Sequence, residues 1–96
     1  MIVHINGSEI KSELDFHKAL TKVLDFGPYY GFNLHALWDR LSTDIERPVT
    51  IIWNDSEKSK LQMGNRFQYV VDVLKRVEQQ DLSFNLKDRF TFELRC

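Results

Sequence analysis

The sequence predicts an α/β fold in which a small three-stranded parallel sheet is covered by about four helices. Short apolar segments typical of strands alternate with longer segments whose apolar residues recur at helical spacing. The middle strand segment, residues 49–53, is continuously apolar and rich in β-branched residues, as in parallel strands that are covered on both faces. Helical segments separate the three strand segments, and crossovers of this kind join parallel strands through right-handed connections.

The chain begins with one strand and one helix. Residues 2–5 form a short apolar run that ends at the turn signal Asn6–Gly7. Ser12 is placed to cap a helix, which Gly27–Pro28 terminates. The buried stripe of this helix is predicted to be Phe16, Ala19, Leu20, Val23 and Leu24.

A second helix is predicted from Asn33, which serves as its N-cap, to about Ser42. Its apolar residues follow the spacing of one helix face, so we expect that face to lie in the core. The apolar face consists of Leu34, Leu37, Trp38 and Leu41. Three polar residues lie on a separate stripe, namely His35, Asp39 and Ser42.

The second half of the chain continues the pattern after the middle strand. A third helix is predicted to begin near residues 54–56 and to end at Met63, where Gly64–Asn65 separates it from a longer helix that ends at about Gln80. The alternating apolar residues of the segment 82–94 fit either a hairpin or one final strand. We favour a single strand over Phe90–Leu94.

Composition narrows the class of protein. The 96 residues are enough for one domain, expected to span 1–96, and the net charge of −1 argues against a general nucleic-acid binder. Cys96 is the only cysteine, so neither an internal disulfide nor a cysteine zinc site is expected. The N-terminus lacks the pattern of a secretory signal, and no apolar run approaches the ~20 residues of a membrane span. We therefore expect a cytoplasmic protein that is monomeric when free.

Two groups of residues could carry function. His35 and Asp39 are four residues apart on one helix face, where a carboxylate can orient an imidazole for acid–base catalysis or form an ordinary surface pair. Tyr29 and Tyr30 precede the helix beside a glycine, and tyrosine is enriched at binding surfaces. One of these tyrosines could instead lie in the core. No nucleophile motif or phosphate-binding glycine loop accompanies them, so we expect neither an enzyme nor a cofactor or metal.

The segment from Tyr29 to Asp39 resembles the barstar family of ribonuclease inhibitors. The shared pattern is Tyr-Tyr-Gly, one variable residue, Asn-Leu, one variable residue, and Ala-Leu-Trp-Asp. The resemblance extends to the opening strand and turn, to the strand that ends at Trp53, and to the helical segments around Ser59–Lys60 and Val70–Val77. It covers most of the chain and weakens after about Gln80.

This resemblance implies that the loop and the second helix plug the active site of a small ribonuclease. Such a site is lined with basic groups because it holds an RNA phosphate, and a carboxylate can take the place of that phosphate. By resemblance, this role falls to Asp39. Tyr29 and Tyr30 would contact the partner, and Asn33 would contact it or cap the helix. Trp38 would brace the surface from the edge of the core.

The sequence also departs from the family pattern. His35 and Arg76 stand where the family has acidic residues, and Asp44 stands where it has a tryptophan. Glu46 would add a charge at the rim. We therefore expect an inhibitor or immunity protein against a ribonuclease toxin, barnase-like or other, with an interaction module for a non-nuclease partner as the alternative. The predicted partner-binding residues are Tyr29, Tyr30, Asn33, His35, Trp38, Asp39, Ser42, Asp44, Glu46 and Arg76.

Overall fold

A computed structural model describes all residues from 1 to 96 and confirms the predicted α/β fold. Three parallel strands form one sheet in the order β1–β2–β3. The strands are β1 (Ile2–Asn6), β2 (Val49–Asn54) and β3 (Phe90–Leu94). The helices are α1 (Glu13–Val23), α2 (Leu34–Asp39), α3 (Ser56–Met63) and α4 (Asn65–Ser83).

The helix ends follow the capping pattern of the sequence in two of three places. Ser12 Oγ accepts a hydrogen bond from the Asp15 N–H at 3.1 Å, and Asn33 Oδ1 accepts one from the Ala36 N–H at 2.8 Å. Asp55 precedes α3 in a left-handed conformation and makes no side-chain cap. After Asp39, α2 continues as a π-helical turn, Arg40–Asp44. None of the helices combines the length and the apolarity that a membrane span requires.

The core is built around Trp53 on β2. The ring of Phe16 from α1 lies 5.0 Å from the Trp53 ring, and the ring of Phe67 from α4 lies 5.1 Å from it. Trp53 Nε1 donates a hydrogen bond to Ser59 Oγ at 3.0 Å, and that hydroxyl donates to the Gly7 carbonyl at 2.9 Å. The indole N–H is thereby satisfied inside the core, as a buried polar group requires.

The helices cover only one face of the sheet, so the prediction that β2 is covered on both faces is wrong. α1 and α4 both contact Trp53 and therefore lie on the same side. Right-handed crossovers that advance in one direction across a sheet place their helices on one face. Ile52 points to the other face. It is only 5% exposed although it lies outside the core cluster, and its neighbours in register are His4 and Glu93.

The final segment forms a single strand, as favoured from the sequence, because α4 continues to Ser83 and a turn follows. An ion pair between the buried Asp81 and the partly buried Arg47 anchors this end of the chain. Arg47 Nε donates to Asp81 Oδ2 at 2.9 Å and Arg47 Nη2 donates to Oδ1 at 3.2 Å. Asp81 Oδ2 also accepts the Phe90 N–H at 2.7 Å. One carboxylate thus joins the segment before β2, the end of α4 and the start of β3.

Gly7 is expected to tolerate no side chain. A Cβ at this position would lie 2.2 Å from the Asp55 carbonyl oxygen, and backbone cannot move aside as a flexible side chain can. We expect Gly7→Ala to lower the free energy of unfolding by about 1–3 kcal/mol, the usual cost of overpacking. Urea unfolding measures the loss. Gly27→Ala separates the two causes of loss, because a Cβ there meets no atom within 4 Å and any cost comes from the positive φ of 76° alone. An unchanged Gly7→Ala midpoint would contradict the close approach.

Candidate functional site

A shallow depression of about 370 Å³ forms where the Tyr29–Asn33 loop enters α2. The structure brings four of the predicted partner-binding residues together in its lining, and these are Tyr29, Asn33, His35 and Asp39. The N-cap bond of Asn33 fixes the start of α2, and its Nδ2 also donates to the Gly31 carbonyl at 3.2 Å. Because α2 begins at a fixed point, His35 and Asp39 project from one face into the same depression.

The carboxylate of Asp39 is exposed and makes no hydrogen bond or ion pair within the chain. His35 lines the same depression and forms no hydrogen bond with the Asp39 carboxylate. The other charge in the lining is that of Arg40, whose Nη1 donates to Asp44 Oδ2 at 2.6 Å. Asp44 thus engages the cation that is nearest in sequence to Asp39. The depression is left with one carboxylate whose lone pairs are free.

The two adjacent tyrosines have opposite environments. Tyr29 is 88% exposed at the rim of the depression, whereas Tyr30 is 6% exposed and lies against Phe26 and Phe32. Tyr30, which the sequence predicts to contact another protein, is therefore largely buried. Its burial is tolerated because its hydroxyl forms a hydrogen bond inside the chain, 2.6 Å from His17 Nδ1. Phe32 has a φ of 52°, which is unusual for a bulky residue and is held by aromatic contacts on Tyr30 and His17.

His17 connects this loop to the helices beneath it. It is fully buried, and its Nε2 lies 2.9 Å from Glu13 Oε2. A carboxylate only accepts hydrogen bonds, so Nε2 carries the proton and Nδ1 accepts from the Tyr30 hydroxyl. Arg66 at the start of α4 also donates to Glu13. A chain of polar contacts thus runs from α4 through α1 to the Tyr29–Asn33 loop.

Burial and pairing shift the acidities of this network. Burial lowers the pKa of His17, against the opposing effect of Glu13. Burial alone would raise the pKa of Glu13, but hydrogen bonds from His17 and Arg66 outweigh it and lower the pKa. Burial also raises the pKa of the Tyr30 hydroxyl. At neutral pH the network therefore holds a neutral imidazole, a carboxylate and a protonated phenol.

Stability is expected to fall as the pH is lowered from about 6.5 towards 4.5. The pKa of folded His17 lies below its ordinary value of 6.5, so the unfolded chain binds more protons in this interval. A difference of one bound proton between the folded and unfolded chain changes the free energy of unfolding by at most about 1.4 kcal/mol per pH unit. Glu13 and Asp81 also have lowered pKa values, so the stabilisation from their carboxylates is lost only below their ordinary values of 4.5 and 3.8.

Urea unfolding at a series of pH values tests the role of His17 in this slope. His17→Gln removes the titrating group, so its stability should depend less steeply on pH between 4.5 and 6.5 than that of the wild type. Equal slopes for the two proteins would show that His17 is not the linked group.

Trp38 and Arg76 form the flank of the site. Trp38 is half-buried between α2 and α4, and the guanidinium carbon of Arg76 lies 4.5 Å from the centre of a Trp38 ring. This is the geometry of a cation–π contact. A second depression of about 430 Å³ between the two helices includes Trp38, Arg76 and His35. His35 lines both depressions, so the two are adjacent.

The other predicted residues lie apart from this depression or are engaged locally. Ser42 is half-buried, and its hydroxyl donates to the Asp39 carbonyl at 3.3 Å. Asp44 and Glu46 line a separate depression with the N-terminus and Asp25. The structure gathers no group of three or more His, Cys, Asp or Glu side chains that could hold a metal ion.

Two features of the site were missed in the sequence. The spacing of Glu13 and His17, four residues apart on a predicted helix, was a signal for their contact, but nothing local linked His17 to Tyr30. The strained conformation of Phe32 had no signal, since glycine or asparagine would normally mark such a position.

The sequence is similar to a known protein family and to a protein of Bacillus subtilis. The family model described as "Barstar (barnase inhibitor)" matches residues 1–94. The "Putative ribonuclease inhibitor YrdF" of Bacillus subtilis (strain 168) is 33% identical over 86 residues, which cover 90% of this chain and 89% of that protein.

Proposed function

The chain belongs to the barstar family, and from this premise we propose that it inhibits a small ribonuclease toxin by occupying the active site of that enzyme. The proposed contact surface is the loop from Tyr29 and the face of α2 that carries Asp39. The partner is a barnase-like ribonuclease or another toxin nuclease. The chain acts by binding and performs no catalysis of its own.

The observation that carries the proposal is the free carboxylate of Asp39 in a depression at the molecular surface. A ribonuclease holds RNA phosphate with cationic and N–H donors, and a carboxylate offers them two acceptor oxygens. Since Asp39 has no partner within the chain, binding breaks no internal hydrogen bond. The ion pair with Asp44 also engages Arg40, which would otherwise face the same donors as a like charge.

The aromatic residues supply the remaining contact area. Tyr29 can bury a large, rigid surface with few rotors to freeze. Tyr30 contributes indirectly, because the hydrogen bond between its hydroxyl and His17 fixes the loop that carries Tyr29. Asn33 and His35 line the same depression, and Trp38 braces its flank. Ser42, Asp44 and Glu46 would contact the partner only at the rim.

An inhibitor of this kind acts in the cell that makes the toxin. We propose that the protein is cytoplasmic and that it protects its producer, as an immunity protein does. A monomer is expected before binding, because the surface that meets the partner must be free.

Capture from the source organism tests this function. The wild-type chain and Asp39→Ala are used as tagged baits with lysate and culture supernatant, and captured proteins are assayed for RNA cleavage before and after release. Asp88→Ala is the matched control, an exposed aspartate before β3 whose side chain makes no hydrogen bond or ion pair in the chain. We expect a small ribonuclease that wild type and Asp88→Ala retain, that Asp39→Ala loses, and that is inactive while bound.

Two results would contradict the proposal. Equal capture by all three baits would remove Asp39 from the interface. A specific partner without nuclease activity would favour the alternative, in which the barstar fold serves as an interaction module.

A further inference from the structure

A basic groove continues the proposed binding surface along α4. It has a volume of about 480 Å³ and runs from Trp38 to the C-terminal half of α4. Its lining consists of Trp38, Lys75, Arg76, Gln79, Gln80 and Ser83. Two cations and no carboxylate are present, so the groove has the opposite charge to the depression at Asp39.

The cations of this groove form no ion pair within the chain. Neither Lys75 nor Arg76 takes part in any ion pair of the structure. Asp72 lies one helical turn before Arg76 and lines the depression beside it, but its Oδ1 accepts the side-chain amide of Gln68 at 2.7 Å and it does not pair with Arg76. Arg76 instead lies over Trp38, which leaves its N–H donors available around the edge of the ring.

The groove has no acidic side chain in its own lining. An acidic peptide segment would supply the carboxylates with which Lys75 and Arg76 form no pair inside the chain.

The groove and the Asp39 depression form one surface. His35 lines the depression at Asp39 and also the depression that contains Arg76, and Trp38 and Arg76 line both that second depression and the groove. A partner that covers these adjoining depressions contacts both Asp39 and Arg76. Its surface must present opposite charges to these two regions, because like charges that face each other across an interface oppose binding.

We propose that the Trp38–Arg76 groove is a second recognition region that takes an acidic segment of the same ribonuclease. The inference rests on the proposed function and adds a requirement on the partner. Its active site is basic opposite Asp39, and its rim carries carboxylates opposite Lys75 and Arg76. A ribonuclease whose rim is uniformly basic is repelled, so Arg76 determines specificity.

The test compares charge variants against two probes. The first probe is the ribonuclease captured through Asp39, purified and titrated by surface plasmon resonance at two salt concentrations. The second is poly-L-glutamate, titrated into the free chain while tryptophan fluorescence is followed; a change is assigned to Trp38 because the other tryptophan, Trp53, is fully buried in the core. The variants are Arg76→Glu, the neutral Arg76→Gln, and Lys58→Glu as a control on the exposed face of α3, away from every depression described. Thermal unfolding confirms that each variant is folded.

We expect Arg76→Glu to weaken ribonuclease binding by about tenfold or more, mainly through slower association, and less so at high salt. Arg76→Gln should lie between it and the wild type, and Lys58→Glu should match the wild type. Poly-L-glutamate should change Trp38 fluorescence in the wild type and not in Arg76→Glu.

Three outcomes would overturn the inference. If Asp39→Ala weakens binding while Arg76→Glu does not, the groove has no acidic occupant and the proposed function stands. If no ribonuclease is captured, the proposed function fails, and an absent response to poly-L-glutamate then refutes the groove independently. If single-stranded RNA binds the free chain more tightly than poly-L-glutamate of equal charge, the groove is a nucleic-acid site.

Discussion

Replacing Asp39 with alanine is expected to weaken ribonuclease binding by about 30-fold or more while leaving the melting temperature almost unchanged. The binding loss follows because the partner's cations, desolvated in the complex, would lose the group that pairs them. Truncating one member of a buried charge pair costs 2 kcal/mol or more, and about 1.4 kcal/mol corresponds to tenfold. Stability is spared because the Asp39 carboxylate is exposed and bonds to nothing in the free chain.

Isothermal titration and thermal unfolding of the same preparations separate these two effects. Asp39→Asn keeps the shape and removes the charge, so it should lose most of the affinity if the carboxylate replaces a phosphate. Asp88→Ala should bind as the wild type does. Parallel losses of affinity and stability in Asp39→Ala would mean that Asp39 supports the fold and does not contact the partner.

Replacing Asp81 with alanine is expected to have the largest effect on stability. Asp81 is 2% exposed, and its removal leaves Arg47 without its counter-ion and the Phe90 N–H without an acceptor. Burial alone would raise the pKa of Asp81, but bonds from Arg47 and the Phe90 N–H lower it, so the folded state holds the carboxylate charged. Breaking a buried pair in this way costs about 3–5 kcal/mol.

Such a loss is a large part of the ~5–15 kcal/mol that stabilises a typical domain. Thermal unfolding should therefore show a decrease of more than about 10 °C in melting temperature. The double variant Arg47→Met/Asp81→Leu is the matched control. Because it removes the stranded charge as well, it should be more stable than Asp81→Ala. If Asp81→Ala unfolds within a few degrees of the wild type, the pair does not anchor β3.

The strands and helices were predictable because the signals for them are local. Apolar spacing located the buried stripes of α1 and α2. The Ala36 N–H donates a hydrogen bond to Asn33 Oδ1, so this helix cap lies within three residues of sequence. Boundaries were less accurate. The predicted end of helix two near Ser42 became a π-helical turn that continues to Asp44, because contacts with the rest of the chain decide how a helix ends.

Burial at the site was not predictable from residue type. Tyr29 and Tyr30 are adjacent and chemically identical, yet one is exposed and the other is buried against His17, which is 13 residues away. The continuous apolar run of β2 likewise predicts cover on both faces, because residue type alone does not show which face the helices pack against. Ile52 is buried by its place in the sheet, although no helix covers its face.

The sequence by itself determined the order of elements, the parallel sheet, the helix that carries Asp39 and the resemblance that identifies the family, because all of these depend on periodicity, capping and motifs within short segments. Only the tertiary structure decided which tyrosine is free, how Arg47 and Asp81 meet across 34 residues, and that Arg76 lies over Trp38 beside a free carboxylate. These features depend on contacts between segments that are distant in sequence, and no local pattern specifies which side chains fill the space between two packed helices.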